Sequence, residues 1–355
     1  MLRLPGYVWQ LVLVYSSKAF RPASPLVFHF RAKWPRNPAS HASHLRTLIE
    51  TPMSASLDLP AYLRHSAAAS RSFAGAEVVH VVMGNEAADA DSICSSLSLA
   101  YLKHITMPNE ERETTCFIPV MPIPRADLAL RREVELLFDL CRVDPSLLLF
   151  ADEADLAGLS AQGRLRLSLT DHNALSGGHT GELDGKYVVE IVDHHADLGQ
   201  HTHVQGADRD IAFDSARDPG AALVASCCTL VTERLLARAP HALTPDMARL
   251  LLGVILIDTA GLDPHAGRAT PRDEHAVKEL ESRLPPPSTS IATTADAGGK
   301  CNSTPTTRDE LFTALRDAKF DQGFWHGLAP TDCLRYDYKQ FGPAPTATAA
   351  AGGAA

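Results

Sequence analysis

The chain has no excess of positive charge, no long apolar run, no Cys-x-x-Cys pair and no glycine-rich phosphate loop. Each absence excludes something. Lys and Arg number 33 against 42 Asp and Glu, a net charge of −9, so no global basic field draws in nucleic acid or any other polyanion. A polyanionic substrate would need metal ions or a local basic patch. No stretch is long and apolar enough to span a membrane. The seven cysteines are scattered, odd in number and without zinc-site spacing. Such thiols fit a reducing compartment, hence the cytoplasm, where most serve as small core residues. There is no Walker loop and no Gly-x-Ser-x-Gly elbow, and no internal repeat is visible.

What is present suffices for a large core: 355 residues, 45% of them hydrophobic, which suits two domains or one domain with extensions. Residues 1–52 carry seven basic side chains and one acid, Glu50, so this leader is +6 and the rest of the chain −15. The leader matches a mitochondrial-type targeting segment if translated. The alternative is an upstream extension of the reading frame, with Met53 as the working start. Residues 53–284 read as the main domain. Residues 285–307, rich in Pro, Ser, Thr and Gly, read as a flexible linker. A helical stretch at 308–318 follows, and the tail 342–355 is too small and polar to pack.

Between residues 76 and 258 short apolar runs alternate with helical patterns. Val78–Met83 (VVHVVM), 116–121, 147–150, 165–169 and 188–192 read as strands, and the continuous apolar runs among them suit a buried parallel sheet. Residues 91–104, 128–141, 221–238 and 245–257 read as helices. In the helix over 128–141, Leu130, Val134, Leu137 and Leu140 share one face, with Arg131, Arg132 and Glu133 off it. This order predicts an α/β fold with a mostly parallel sheet flanked by helices. Sites in such folds gather outside the carboxyl ends of the strands.

Polar clusters fall at those ends. Asn85, Asp89 and Asp91 lie in GNEAADADSI. Two carboxylates so close repel unless a cation or proton intervenes, and carboxylate oxygen suits Mg²⁺ or Mn²⁺. Taken alone, Asp89 and Asp91 read as helix-capping acids rather than metal ligands. Asp171, His172 and Asn173 follow SLT, and alone read as a polar turn. Asp193, His194 and His195 follow VVEIV. Side chains alternate along an extended chain, so the two imidazoles are expected to diverge. One would ligate while the other faces a phosphate or gives a proton to the leaving group. Asp258 follows VILI, where a carboxylate is costly unless paired, ligated or in a surface turn. Together these side chains suffice for two ions about 3.5–4 Å apart sharing one carboxylate.

The order of these motifs resembles the DHH phosphoesterases. Asn85-x-x-x-Asp89-x-Asp91-Ser92, Asp171-His172-Asn173, Asp193-His194-His195 and Asp258-Thr259 stand in sequence, with PVMPIPRADLALRREV, ASCCTLV and DYKQF between and after them. Over roughly residues 76–341 the closer likeness is to eukaryotic exopolyphosphatases, relatives of the prune proteins and of family II inorganic pyrophosphatases. The resemblance implies a DHH phosphoesterase domain with two divalent metal ions, Mg²⁺ preferred and Mn²⁺ as alternative. Asp89 and Asp171 would hold one ion. Asp91, Asp171, His194 and Asp258 would hold the other. His195 would face the phosphate and Asp193 orient the histidine pair, making these two the catalytic residues, with Asn85, His195 and Arg132 touching substrate. The pyrophosphatases carry a ligating histidine where this chain has Asn85. An amide there makes the site almost all oxygen, which favours Mg²⁺.

The implied activity is removal of terminal phosphate from inorganic polyphosphate, with no nucleic acid or membrane partner. Hydrolysis of pyrophosphate or cyclic nucleotides is the alternative within the enzyme class. In the family a DYKQF-like segment opens a second, basic domain. Here residues 337–341 are followed by only fourteen residues, so the expectation is that 308–341 starts a second domain that is largely missing. A truncated, non-catalytic metal- or phosphate-binding protein is then the third reading. Arg125, Arg131, Arg132 and Lys339 remain as phosphate contacts or as ordinary solvated surface.

Overall fold

The computed structural model describes residues 58–71, 73, 75–175, 183–286 and 305–336. The leader at 1–52, most of the 285–307 segment, residues 337–341 with Lys339, and the tail at 342–355 lie outside the described residues.

In chain order the elements are α1 (Leu59–Ser70), β1 (Val78–Met83), α2 (Ala90–Thr106), β2 (Thr115–Met121), α3 (Arg132–Leu140), β3 (Leu149–Phe150), α4 (Leu156–Ala161), β4 (Leu165–Thr170), β5 (Val188–Asp193) and β6 (Arg209–Ile211). A small antiparallel pair follows, β7 (Phe213–Asp214) with β8 (Ala221–Ala222). Helices α5 (Cys227–Arg238), α6 (Pro245–Asp258), α7 (Pro271–Glu281), α8 (Arg308–Lys319), α9 (Gln322–Gly327) and α10 (Pro330–Tyr336) complete it. The six long-range strands form one parallel sheet in the order β3-β2-β1-β4-β5-β6. The expected α/β architecture is therefore present.

Alternation along the strands builds a core on each face. Val79, Val81 and Met83 of β1 pack with Leu165, Leu167 and Leu169 of β4 and with Leu156 and Leu159 of α4. On the other face Val82, Met121, Phe150 and Val192 meet the apolar sides of α1, α2, α3, α5, α6 and α7. A register shift at Leu167/Ser168 in the β4–β5 pair lets Val188 and Ile191 reach the same core although three residues apart. Under α2 the sheet also buries charge. Glu190 of β5 pairs with Lys103 at 2.7 Å and Arg234 at 2.8 Å, and accepts from Ser168 Oγ, which itself meets His80 Nε2.

Three sequence expectations shift. The helix expected over 128–141 is a 3-10 turn at Arg125–Leu130 followed by α3, with the path broken at Arg131 (φ −105, ψ 71). Arg131 is therefore not on α3, and helical periodicity misplaced it: the side chain is only 1% exposed. The helix expected from 221 begins at Cys227, because Ser226 caps it by accepting from Cys228 N. The strand expected at 147–150 is Leu149–Phe150 alone, after a 3-10 turn at Pro145–Leu147. Helix α8, set apart in sequence by the 285–307 segment, buries Leu311 and Leu315 in the core shared with α3 and α6. No helix among the described residues is long and apolar enough to cross a membrane.

Candidate metal centre

The strand order reverses around β1, whose neighbours are β2 and β4. At such a switch point the loops leaving the carboxyl ends splay apart and open a crevice. Asn85 and Asp89 follow β1, Asp171 follows β4, and β5 ends on Asp193. Asp258 arrives differently, as the last residue of helix α6 rather than after a strand.

Asp171 is the meeting point. It sits in the left-handed region (φ +62) at the end of β4, a conformation Asp tolerates better than most residues. Its Oδ2 accepts from Ser92 Oγ at 2.6 Å and Asn85 Nδ2 at 2.8 Å. Its Oδ1 lies 3.1 Å from His194 Nε2 and 3.6 Å from His195 Nδ1. The close approach of β1's end to α2 depends on Gly84, since a Cβ there would stand 2.5 Å from Ser92 Cβ.

The two imidazoles do not diverge as alternation had suggested. Their ring centroids are 4.4 Å apart. Ligand atoms of Asp171, His194 and His195 all lie within 4.8 Å of one another, a group able to hold a metal ion. The reason is local: extended chain stops at Asp193, whose Oδ1 accepts from the backbone N–H groups of both His194 (2.8 Å) and His195 (3.2 Å). That Asx-type turn swings both rings to one side.

Asp193 is fully buried and takes His195 Nδ1 at 2.8 Å and Asn173 Nδ2 at 2.6 Å. Burial alone would raise its pKa, but these partners hold it at about 2. Asn173 also donates to Ala196 O and accepts from Leu198 N, tying the loop after β5 to the end of β4. His194 Nε2 lies 3.5 Å from Asp91 Oδ2, and its Nδ1 is 3.1 Å from Val224 O. Burial opposes charge on this ring, yet Asp171 and Asp91 raise its pKa to about 10.

Asp91 is held by the start of α5: Ser226 Oγ at 2.8 Å, Cys227 N at 2.7 Å and Cys228 N at 2.9 Å. Burial first, and Asp171 second, push its carboxyl up to about 6. Ser92, Ser226 and the two cysteine amides were missed as supports of the site. The signal for the last three was a serine directly before an apolar helical pattern, which marks an N-cap. Asp89 caps α2 through Ser92 N. Arg132 is not drawn into this cluster: it pairs with Glu135 at 2.9 Å and lies over Phe324. Arg125 is committed to Glu153, Pro145 O and Leu148 O.

Asp258 tests whether a cation suits these residues. Its Oδ2 is shielded from solvent and has no hydrogen-bond partner among the described residues. Burial, then Asp91 and Asp89, push its carboxyl well above the ordinary range. A buried acid with an orphaned oxygen beside two others is destabilising as it stands, and a hard cation would relieve it. Asp258→Asn is accordingly expected to raise the melting temperature of the metal-free protein by about 2–4 °C. It should also shrink the further rise given by millimolar Mn²⁺. Differential scanning calorimetry with and without the ion checks both.

Comparison with known proteins bears on this geometry. Residues 80–255 match the model of the DHH family, N-terminal domain. The chain belongs to the DHH family. Among curated relatives it is similar to exopolyphosphatase PRUNE1 of Homo sapiens, 35% identical over 264 residues, which is 74% of this chain and 49% of that protein. PRUNE1 of Bos taurus is also 35% identical, over 265 residues. Protein prune homolog 2 of Mus musculus is 27% identical over 59% of this chain and 6% of its own length. The chain thus spans about half the length of the PRUNE1 relatives it matches. Within this DHH-family chain the Asp171–His194–His195 group is the candidate metal centre.

Proposed function

We propose that this chain is a cytoplasmic, metal-dependent exopolyphosphatase, releasing terminal phosphate from inorganic polyphosphate. The observation that carries the reading is the shared carboxylate of Asp171, which faces Asn85 and Ser92 on one side and both histidines on the other. In this reading Asp89 and Asp171 hold one divalent cation, and Asp91, Asp171, His194 and Asp258 hold a second. The preferred ion is Mg²⁺, with Mn²⁺ as the alternative. The bound ions supply a water acidic enough to attack phosphorus at neutral pH and offset charge on the phosphoryl oxygens.

The protein's own groups do the rest. Asp193 occupies Nδ1 of His195 and leaves Nε2 as the nitrogen to meet a substrate oxygen and give it a proton; the side chain is 46% exposed. Asn173 locks Asp193 in turn. Asn85 presents an amide where an imidazole would favour softer ions, and it lies beside the phosphate in this reading. Arg132, which stands outside the cluster, would contribute by exchanging its exposed pair with Glu135 for a more distant phosphate oxygen of the polyphosphate chain. The names of the human and bovine relatives support polyphosphate as substrate.

The test is phosphate release from long-chain polyphosphate with Mg²⁺, run beside pyrophosphate and cyclic nucleotides. Polyphosphate is expected to be cut fastest. Faster cleavage of pyrophosphate or of a cyclic nucleotide would replace the substrate assignment. Cation binding without turnover on any of the three would make the chain a non-catalytic binding protein.

A further inference from the structure

Arg131 is buried, yet among the described residues no carboxylate lies within ion-pair distance of it. Its guanidinium is spent on carbonyls. Nε donates to Ala88 O at 2.9 Å, Nη2 donates to Ala87 O, and Nη1 donates to Asp127 O at 2.9 Å. Ala87 and Ala88 form the turn between Asn85 and Asp89. That turn is closed by Ala87 N on Asn85 Oδ1 and Ala88 N on Asn85 O, both at 3.0 Å. Ala88 sits at φ +46, a left-handed conformation unfavourable for a residue with a Cβ. The carbonyl of Ala88 belongs to the peptide that enters Asp89, so its direction sets where the Asp89 carboxylate begins.

We propose that Arg131 is a positioning residue for the cation site: by forking onto two successive carbonyls it holds the Asn85–Asp89 turn in its strained shape. The break in the chain before α3 exists to turn this side chain inward. The planar fork is what makes arginine the residue required, because a lysine ammonium is a single point donor and reaches one carbonyl well. Outer partners of this kind set metal affinity without touching the ion. The inference rests on the cation-binding reading of Asp89, Asp91, Asp171, His194 and Asp258.

The experiment is an isothermal titration of the full chain with Mn²⁺, with no substrate present. Arg131→Lys is expected to weaken binding about tenfold, while the urea midpoint of the metal-free protein moves little. The double variant Arg131→Lys with Ala88→Gly is expected to recover part of the loss, since glycine adopts the left-handed shape without strain. A purely structural role for Arg131 would not respond to that second change. If Arg131→Lys proves unfolded, the double variant is compared directly with Ala88→Gly, and equal Mn²⁺ affinity overturns the proposal. Unchanged affinity in Arg131→Lys, or no recovery on adding Ala88→Gly, also overturns it. Failure of the wild-type chain to bind Mn²⁺ overturns instead the cation-site reading on which it rests.

Discussion

Asp171→Asn is expected to lower phosphate release from polyphosphate by roughly 10²–10³-fold at fixed Mg²⁺, since lost charge stabilisation of several kcal/mol converts at about 1.4 kcal/mol per tenfold. The substitution is chosen to leave the backbone alone. Asparagine tolerates the left-handed conformation at φ +62 as aspartate does. What changes is charge and donor count. One Asp171 oxygen accepts from both Ser92 Oγ and Asn85 Nδ2, and the other faces His194 Nε2. An amide can satisfy only one of these sides with its oxygen. Its NH₂ then opposes either the Asn85 donor or a cation. Kinetics should be paired with Mn²⁺ titration, and both should fail together. Undiminished release from Asp171→Asn would remove the assigned site, whatever the fold.

The second large effect concerns the sheet rather than the site. Glu190→Gln is expected to destabilise the protein by about 3–5 kcal/mol at neutral pH, the usual result of leaving buried charge unpartnered. Two mostly buried cations pair with Glu190: Lys103, and Arg234, which also keeps Asp210 at 3.1 Å, so Lys103 is the one left without a carboxylate. Burial alone would raise the Glu190 pKa, but Lys103 first, with Ser168 and Arg234, overcome that and hold it at about 2. The sign of the pH dependence follows. The folded pKa lies below the unfolded value near 4.5, so the stabilisation is fully present above pH 4.5 and is lost as pH falls towards 2. The difference in unfolding free energy between wild type and Glu190→Gln, from urea melts, should be large at pH 7 and shrink below pH 4.5. A difference independent of pH would mean that Glu190 acts through shape alone.

The reasons for what could and could not be read from the chain are physical. VVHVVM read correctly as β1 because a strand buried on both faces has no polar side to show. Its one histidine is not a solvent-facing residue but the partner of Ser168. The clusters at 85–91, 171–173 and 193–195 announced themselves by position, as polar side chains closing apolar runs. Arg131 was misread because periodicity assumes an unbroken helix, and the helix starts one residue later. The His194–His195 pair was misjudged because alternation holds only while the chain stays extended, and Asp193 ends that. The amides of Cys227 and Cys228 that hold Asp91 have no side-chain signature of their own; their one signal is the capping serine, Ser226, before them. They are backbone donors made available by a helix starting where Ser226 caps it.

The parallel strand order has a consequence for synthesis. Asp89 leaves the ribosome early, but the segments that face its cluster arrive one at a time: Asp171 with β4, the histidines with β5, the amides that steady Asp91 with α5, and Asp258 only as α6 ends. A nascent chain paused anywhere before residue 258 exposes a growing set of mutually repelling acids with no closing member. On the proposed two-cation reading, the Asp171–His194–His195 group is thus in place before the full set of acids, which is complete only once α6 has been made.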